Sequence, residues 1–338
     1  MKLSAARIVV TGAQTPLGRD ILAVLAESGV PEKNVSALES GRTAGEQVSF
    51  GEEGVLDVKS SDDFDFSTAH VVFHAGEQRE TAALSKRATA GDALFVDCSG
   101  VFTLDPDVPL VVSDVNGALL EKTPPKQIVA NPTSLAVFLS LALNPLHIKA
   151  NVQRAVVSTY QAVSHWGREA QDELFSQTKA LFMAQGTPKH EHLPKQIAFN
   201  AYPMVGAERE DGFTDVEWNT IAQVKKILDP KIKLAINTVT IPAFVGDGMM
   251  VNVEAAEEIS PIKAAMWMTG QKGLGVLEDT ADLPTHAEIA GEDFAYVTRL
   301  RGDFSVDNGL AFWLIGDNLR QGSAGNAVKI AEKYLGSR

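Results

Sequence analysis

The stretch Arg7-Ile8-Val9-Val10-Thr11-Gly12-Ala13-Gln14-Thr15-Pro16-Leu17-Gly18 constrains this chain more than any other. A short β-branched run of buried type enters a glycine turn at once, and a helical pattern follows over 19–28. A strand that hands over directly to a helix returns to its sheet by a crossover, so its neighbour runs parallel to it. The pattern recurs, with strands expected over 34–38, 70–74 and 93–97 and a helix over 80–90. Right-handed crossovers and a mostly parallel sheet follow from that alternation. In this setting the first glycine makes the turn, the second lets backbone approach a pyrophosphate, and the third packs helix on strand. Gly12 and Gly18 take the first and third places, Thr15 takes the middle one, and Gln14 and Leu17 complete the loop. Taken alone, the motif is also compatible with a strand-to-helix turn that holds no ligand.

A second junction lies at Ile128-Val129-Ala130-Asn131-Pro132-Thr133-Ser134. The apolar run reads as a strand end, and Asn131-Pro132 forces a turn because proline fixes its own φ and moves the preceding residue out of the helical region. Thr133 or Ser134 can cap the helix that continues through Leu135-Ala136-Val137-Phe138-Leu139. Ser134 thereby stands near unpaired N–H groups and the positive end of a helix, a favourable place for a nucleophile or an oxyanion.

A length of 338 residues points to two domains. The composition, 45% hydrophobic and 22% charged, is that of an ordinary globular protein. No apolar run is long enough to span a bilayer, and no signal peptide is expected, so the default compartment is the cytoplasm. A net charge of −13 argues against nucleic acid or an anionic membrane as partner. The single cysteine, Cys98, excludes an internal disulfide and a cysteine-rich metal site. His190-Glu191-His192 lacks a third ligand at a sensible spacing and reads as a solvated loop, so no metal is expected.

Several of these segments, in order along the whole chain, resemble the aspartate-semialdehyde dehydrogenase family. Asn131-Pro132-Thr133-Ser134 resembles the Asn-Pro-Asn-Cys nucleophile loop, with Ser134 where the family's attacking cysteine stands. Ser40-Gly41-Arg42-Thr43-Ala44-Gly45 resembles the Ser-x-Arg-Ser-Ala-Gly segment that binds NADP, and an arginine just past the second strand suits a 2′-phosphate. Asp97-Cys98-Ser99-Gly100-Val101-Phe102-Thr103 through Pro109 follows another family segment, with Thr103 at the position of a phosphate- or substrate-binding arginine and Cys98 at that of an asparagine. Cys98 therefore reads as a small buried hydrophobe. Ala75-Gly76-Glu77 stands where the family has Ala-Gly-Gly, and a glutamate there would repel a pyrophosphate.

Val156-Val157-Ser158-Thr159-Tyr160-Gln161-Ala162-Val163-Ser164 is almost identical to the family's segment, and the resemblance makes Gln161 the glutamine that positions substrate. His165 and Trp166 follow where the family has small residues, and their rings are expected to fill the pocket. The family's helix Glu and Lys fall on Val216 and Asn219, its carboxylate-binding arginine on Thr240, and its general-base histidine on Asp247. Asp317-Asn318-Leu319-Arg320-Gln321-Gly322 resembles the segment whose asparagine contacts nicotinamide, here Asn318.

The resemblance implies an α/β protein: a Rossmann-type parallel-sheet NAD(P)-binding domain over 1–130 with 319–338, and a dimerisation and substrate-type domain with a large mixed sheet over 131–318. It implies a homodimer through that sheet. Gly12, Gln14, Thr15, Leu17, Gly18, Ser40, Arg42, Thr43 and Asn318 become the cofactor positions, with weak NADP binding preferred over NAD. Ser134, Gln161 and Asp247 become degraded catalytic positions, and Thr103, Asn131 and Thr240 substrate-type positions.

The pattern is most like the Usg-type paralogue, in which the catalytic cysteine is also missing. A serine needs an adjacent base, and a carboxylate is a weak one at neutral pH. A non-catalytic homologue serving as a binding or regulatory protein is therefore expected, with a nucleotide or other small molecule as the ligand to consider. The alternative is an NADP-dependent oxidoreductase of amino-acid biosynthesis acting on another aldehyde or acyl phosphate.

Overall fold

The structure, a computed structural model, describes residues 1–41, 46–186, 189–279 and 282–338. The chain forms two compact units, Met1–Thr133 with Gly322–Arg338, and Ser134–Gln321.

The first unit is built on a seven-stranded sheet in the order β3-β4-β2-β1-β5-β6-β7. Its strands are β1 (Ile8–Thr11), β2 (Val35–Glu39), β3 (Gln47–Phe50), β4 (Gly54–Ser60), β5 (Val71–His74), β6 (Leu94–Asp97) and β7 (Ile128–Ala130). All pairs are parallel except β3 with β4. β1, β5, β6 and β7 are buried along their whole length, as expected of parallel strands covered on both faces. The helices α1 (Pro16–Glu27) and α2 (Gln78–Ala90) are the crossovers, and a short helix α3 (Ser113–Asn116) follows β6. The order of strands reverses at β1, and in an open α/β sheet ligands bind outside the strand carboxyl ends at such a point. The returning C-terminal segment contributes Ala324, Val328, Ala331 and Leu335 to the same core as Ile8, Val10, Phe73 and Val96.

The second unit holds a six-stranded mixed sheet in the order β11-β12-β13-β10-β8-β9. The strands are β8 (Val152–Gln161), β9 (Lys233–Asn237), β10 (Asp247–Ala255), β11 (Leu274–Val276), β12 (Ala295–Gly302) and β13 (Gly309–Gly316). β10 is antiparallel to both β8 and β13, and β9 runs parallel to β8. The helices are α4 (Ser134–Ala150), α5 (Arg168–Phe182), α6 (Asp215–Ile227) and α7 (Pro261–Thr269), and α8 (Asn326–Gly336) belongs to the first unit. Almost every residue of the first two and a half turns of α4 is buried, so it is a core helix without a polar face. Among the described residues no helix is long and apolar enough to cross a membrane.

Candidate functional site

Two strand ends and one helix start make the polar cluster of the second unit. The register of β8 on β10 sets Gln161 opposite Asp247, and the register of β10 on β13 sets Asp247 opposite Gly316. A Cβ on Gly316 would lie 2.7 Å from the Phe138 ring, so glycine there lets α4 lie close on the sheet. Phe138 is one turn beyond Ser134, and that close approach brings the first residue of α4 to the start of β10.

The Ser134 hydroxyl donates to Oδ2 of Asp247 at 2.6 Å, and both residues are buried. The other carboxylate oxygen, Oδ1, accepts from Nε2 of His165 at 2.5 Å. His165 lies in the 3-10 turn Val163–Trp166 that follows β8, and its Nε2 is also 2.9 Å from the Gln161 amide. Gln161 in turn accepts from Thr159 at 3.1 Å. In a serine–histidine–aspartate triad the imidazole lies between hydroxyl and carboxylate and takes the serine proton. Here the carboxylate lies in the middle, and His165 makes its contact with Asp247.

The neighbouring polar residues are bonded to one another as well. Trp166 Nε1 donates to Thr240 Oγ1 at 3.1 Å, and Thr240 donates to the Met204 carbonyl at 2.8 Å. The Asn318 side-chain oxygen accepts from the Gly246 amide at 2.8 Å and from Ser164 at 3.1 Å, bracing the turn into β10. Glu217 is the third residue of α6 and closes a capping box with Thr214, while its other oxygen accepts from Thr238.

In the first unit the glycine loop is closed on itself. Gly12 has φ +73°, and a Cβ there would lie 2.3 Å from the Gly76 amide nitrogen; one on Gly18 would lie 2.0 Å from the Gly12 carbonyl oxygen. Thr15 caps α1 by accepting from the Gly18 amide at 3.0 Å, and its own hydroxyl turns back to the Gly12 carbonyl at 2.8 Å. Leu17 packs partly buried on the core. The Gln14 amide donates to Oε1 of Glu39, the last residue of β2, at 2.7 Å. Glu77, whose charge was expected to repel a pyrophosphate, pairs with Arg79 at 2.6 Å on the surface.

Asn131 donates to the Ser323 carbonyl at 3.1 Å and accepts from Asn326 at 2.8 Å, so it ties β7 to the returning C-terminal segment. Thr103 is buried in the loop after β6, whose backbone is held by Asp97 through the amides of Ser99 and Phe102. Cys98 packs against the first unit's core, and burial, with Asp97 adding to it, pushes its thiol well above the usual range.

Residues 7–123 match the family model described as semialdehyde dehydrogenase, NAD binding domain, and residues 143–321 match semialdehyde dehydrogenase, dimerisation domain. The chain belongs to the semialdehyde dehydrogenase family. Among its relatives, an aspartate-semialdehyde dehydrogenase of Rickettsia bellii (strain RML369-C) is 34% identical over 330 residues, covering 97% of each chain. A USG-1 protein homolog of Azotobacter vinelandii is likewise 34% identical over 330 residues, with 97% of each covered. Aspartate semialdehyde dehydrogenase II from Vibrio cholerae superposes with a TM-score of 0.92 at 29% identity, covering 98% of both chains.

Within this semialdehyde dehydrogenase fold, the second unit brings together Ser134, Gln161 and Asp247, with Thr240 and Asn318 bonded nearby in the same unit. Thr103, Asn131 and the loop residues Gly12, Gln14, Thr15, Leu17 and Gly18 belong to the first unit, as does Ser40 just after β2. Arg42 and Thr43 lie outside the described residues. Sequence reasoning missed His165 as a partner of Asp247 and took it for a space-filling ring. Its signal was the spacing of four from Gln161, on the turn that caps β8.

Proposed function

We propose that this semialdehyde dehydrogenase homologue does not carry out phosphate-dependent oxidation of aspartate semialdehyde, and serves as a binding or regulatory protein that keeps the fold and a nucleotide site. The observation that carries this reading is the Ser134–Asp247–His165 arrangement. Thioester chemistry needs a thiolate, and the hydroxyl at this position directs its proton onto a buried carboxylate that also accepts from His165. No imidazole stands between this hydroxyl and the carboxylate to take the serine proton, so the serine lacks the base of a nucleophilic triad. Cys98, in the other unit, has a thiol shifted away from the thiolate form and offers no substitute.

The environment of Thr240 supports the same reading. An arginine that grips a substrate carboxylate is a forked donor; Thr240 is instead closed off between Trp166 and the Met204 carbonyl. The dinucleotide-type turn of the first unit, with its two close glycine approaches, supports retention of a nicotinamide dinucleotide. The residues available to hold one are Gly12, Gln14 and Leu17 of the loop and Glu39 and Ser40 at the end of β2. Such a cofactor supplies hydride transfer, and these residues bind and orient it.

The match to the dimerisation-domain model supports a homodimer. Sedimentation at micromolar concentration is expected to give twice the chain mass, and a monomer would refute the dimer. The test of the main reading is intact-mass analysis after incubation with aspartate semialdehyde and NADP. No covalent acyl adduct is expected on Ser134, and an adduct there that phosphate releases would overturn the reading.

A further inference from the structure

The end of β2 carries a carboxylate, Glu39, just ahead of the Ser40 and Arg42 on which the NADP expectation rests. In a doubly wound sheet the adenosine ribose lies beside this strand end; an acidic side chain there accepts from the ribose hydroxyls, whereas a 2′-phosphate requires an arginine. Glu39 is the last residue of β2, and the neighbouring Leu38 is in register with Thr11, the residue just before Gly12. Its Oε1 accepts from the Gln14 amide of the glycine loop at 2.7 Å, which fixes the carboxylate at the loop. The Gln14 side chain donates to Glu46 at 2.5 Å, so a second carboxylate faces the same loop residue. Burial raises the Glu39 carboxyl above its ordinary range, against the pull of the Gln14 amide, and the charges of Glu80 and Glu46 push it the same way as burial. Three carboxylates, Glu39, Glu46 and Glu80, thus bear on this strand end, and a phosphate would add like charge to them.

We infer that Glu39 makes the first unit select an adenosine 2′-hydroxyl over a 2′-phosphate, so that this chain takes NAD in preference to NADP. The inference rests on the nucleotide-binding part of the proposed function and replaces the NADP preference expected from Ser40 and Arg42. The carboxylate accepts from the ribose diol while Gln14 holds it in place, and it repels a phosphate on the same carbon.

Calorimetric titration of the full chain with NAD and with NADP tests this, alongside Glu39→Gln and Glu39→Ala. Glu39→Gln keeps an oxygen for the Gln14 amide and removes only the charge, so it carries the test if Glu39→Ala fails to fold. The unaltered chain is expected to bind NAD at least about tenfold more tightly than NADP, and both variants to lose most of that ratio through weaker NAD and stronger NADP binding. NADP binding tighter than NAD in the unaltered chain, or an unchanged ratio in a folded Glu39→Gln variant, would overturn the role of Glu39 while leaving a nucleotide site in place. Absence of binding by either dinucleotide would overturn the nucleotide reading, and this inference with it.

Discussion

The hydroxyl of Ser134, the first residue of α4, donates to the Asp247 carboxylate at the start of β10 over 2.6 Å. Two elements 113 positions apart in the chain are thereby locked through side chains that both exclude solvent. Asp247→Ala leaves the buried Ser134 hydroxyl and the half-buried His165 ring without their acceptor. Loss of a buried partner of this kind costs about 3 kcal/mol. Urea unfolding is expected to show that loss for Asp247→Ala and a smaller one for Asp247→Asn, which keeps an acceptor oxygen. A midpoint unchanged in Asp247→Ala would mean that the carboxylate contributes nothing to this unit.

Restoring a thiol alone is not expected to restore the family's chemistry. Ser134→Cys with Asp247→His is expected to give dehydrogenase activity no higher than background, since Thr103 and Thr240 stand at the family's arginine positions. Positioning contributes roughly 7–11 kcal/mol of barrier reduction in well-oriented reactions. Thr240→Arg alone meets Trp166, whose indole already bonds Thr240. Thr103→Arg, Thr240→Arg and Trp166→Ala together are therefore the expected minimum addition. Steady-state assays of the double and the five-fold variants distinguish these outcomes, and strong activity in the double variant would show that the arginines matter less than argued.

His74 gives the chain a pH dependence with a defined sign. Its ring is buried at the end of β5, with Nδ1 2.8 Å from Thr11 Oγ1 and Nε2 3.0 Å from Thr81 Oγ1. Burial lowers its pKa, and the nearby Asp97 charge only partly opposes that. The unfolded chain therefore takes up a proton first as pH falls below about 6.5. The stability held by neutral His74 is complete above that pH, declines below it, and levels off under the folded-state pKa. Burial also lowers His70, so part of the decline belongs to that residue. Urea midpoints at two pH values on either side of this window are expected to differ less in His74→Gln than in the unaltered chain. Equal shifts in the two proteins would contradict the assignment to His74.

Much of the first unit could be read from its residues, because buried parallel strands are continuous apolar runs and glycine turns separate them from helices. The β3–β4 hairpin was not anticipated. Val48 and Phe50 alternate with polar residues, as do Leu56 and Val58, but each run is short and the turn between them carries two glutamates. β9 stops at Asn237, and Thr240 beyond it makes isolated bridges to Gln161 and Tyr202. Within the segment that matches the family through Ser164, β8 ends at Gln161 and turns, and that turn delivers His165 to Asp247. The last case shows where reading by position fails. Placing Asp247 at the family's base position gave no sign that a histidine four residues past Gln161 would reach it, because the contact depends on a register across β8 and β10. Glu39 was not legible for a different reason: the family resemblance at this strand end lies in Ser40 and Arg42, and only the bond to the Gln14 amide displays the carboxylate's part in the loop.

A Ser134 hydroxyl held on Asp247 is expected not to turn over aspartate semialdehyde. The most direct measurement follows NAD(P)H formation at 340 nm with the purified unaltered chain, aspartate semialdehyde and inorganic phosphate, run separately with NAD and with NADP. The expected rate is no different from that of the Ser134→Ala variant with either dinucleotide. A phosphate-dependent rate that Ser134→Ala abolishes would contradict it.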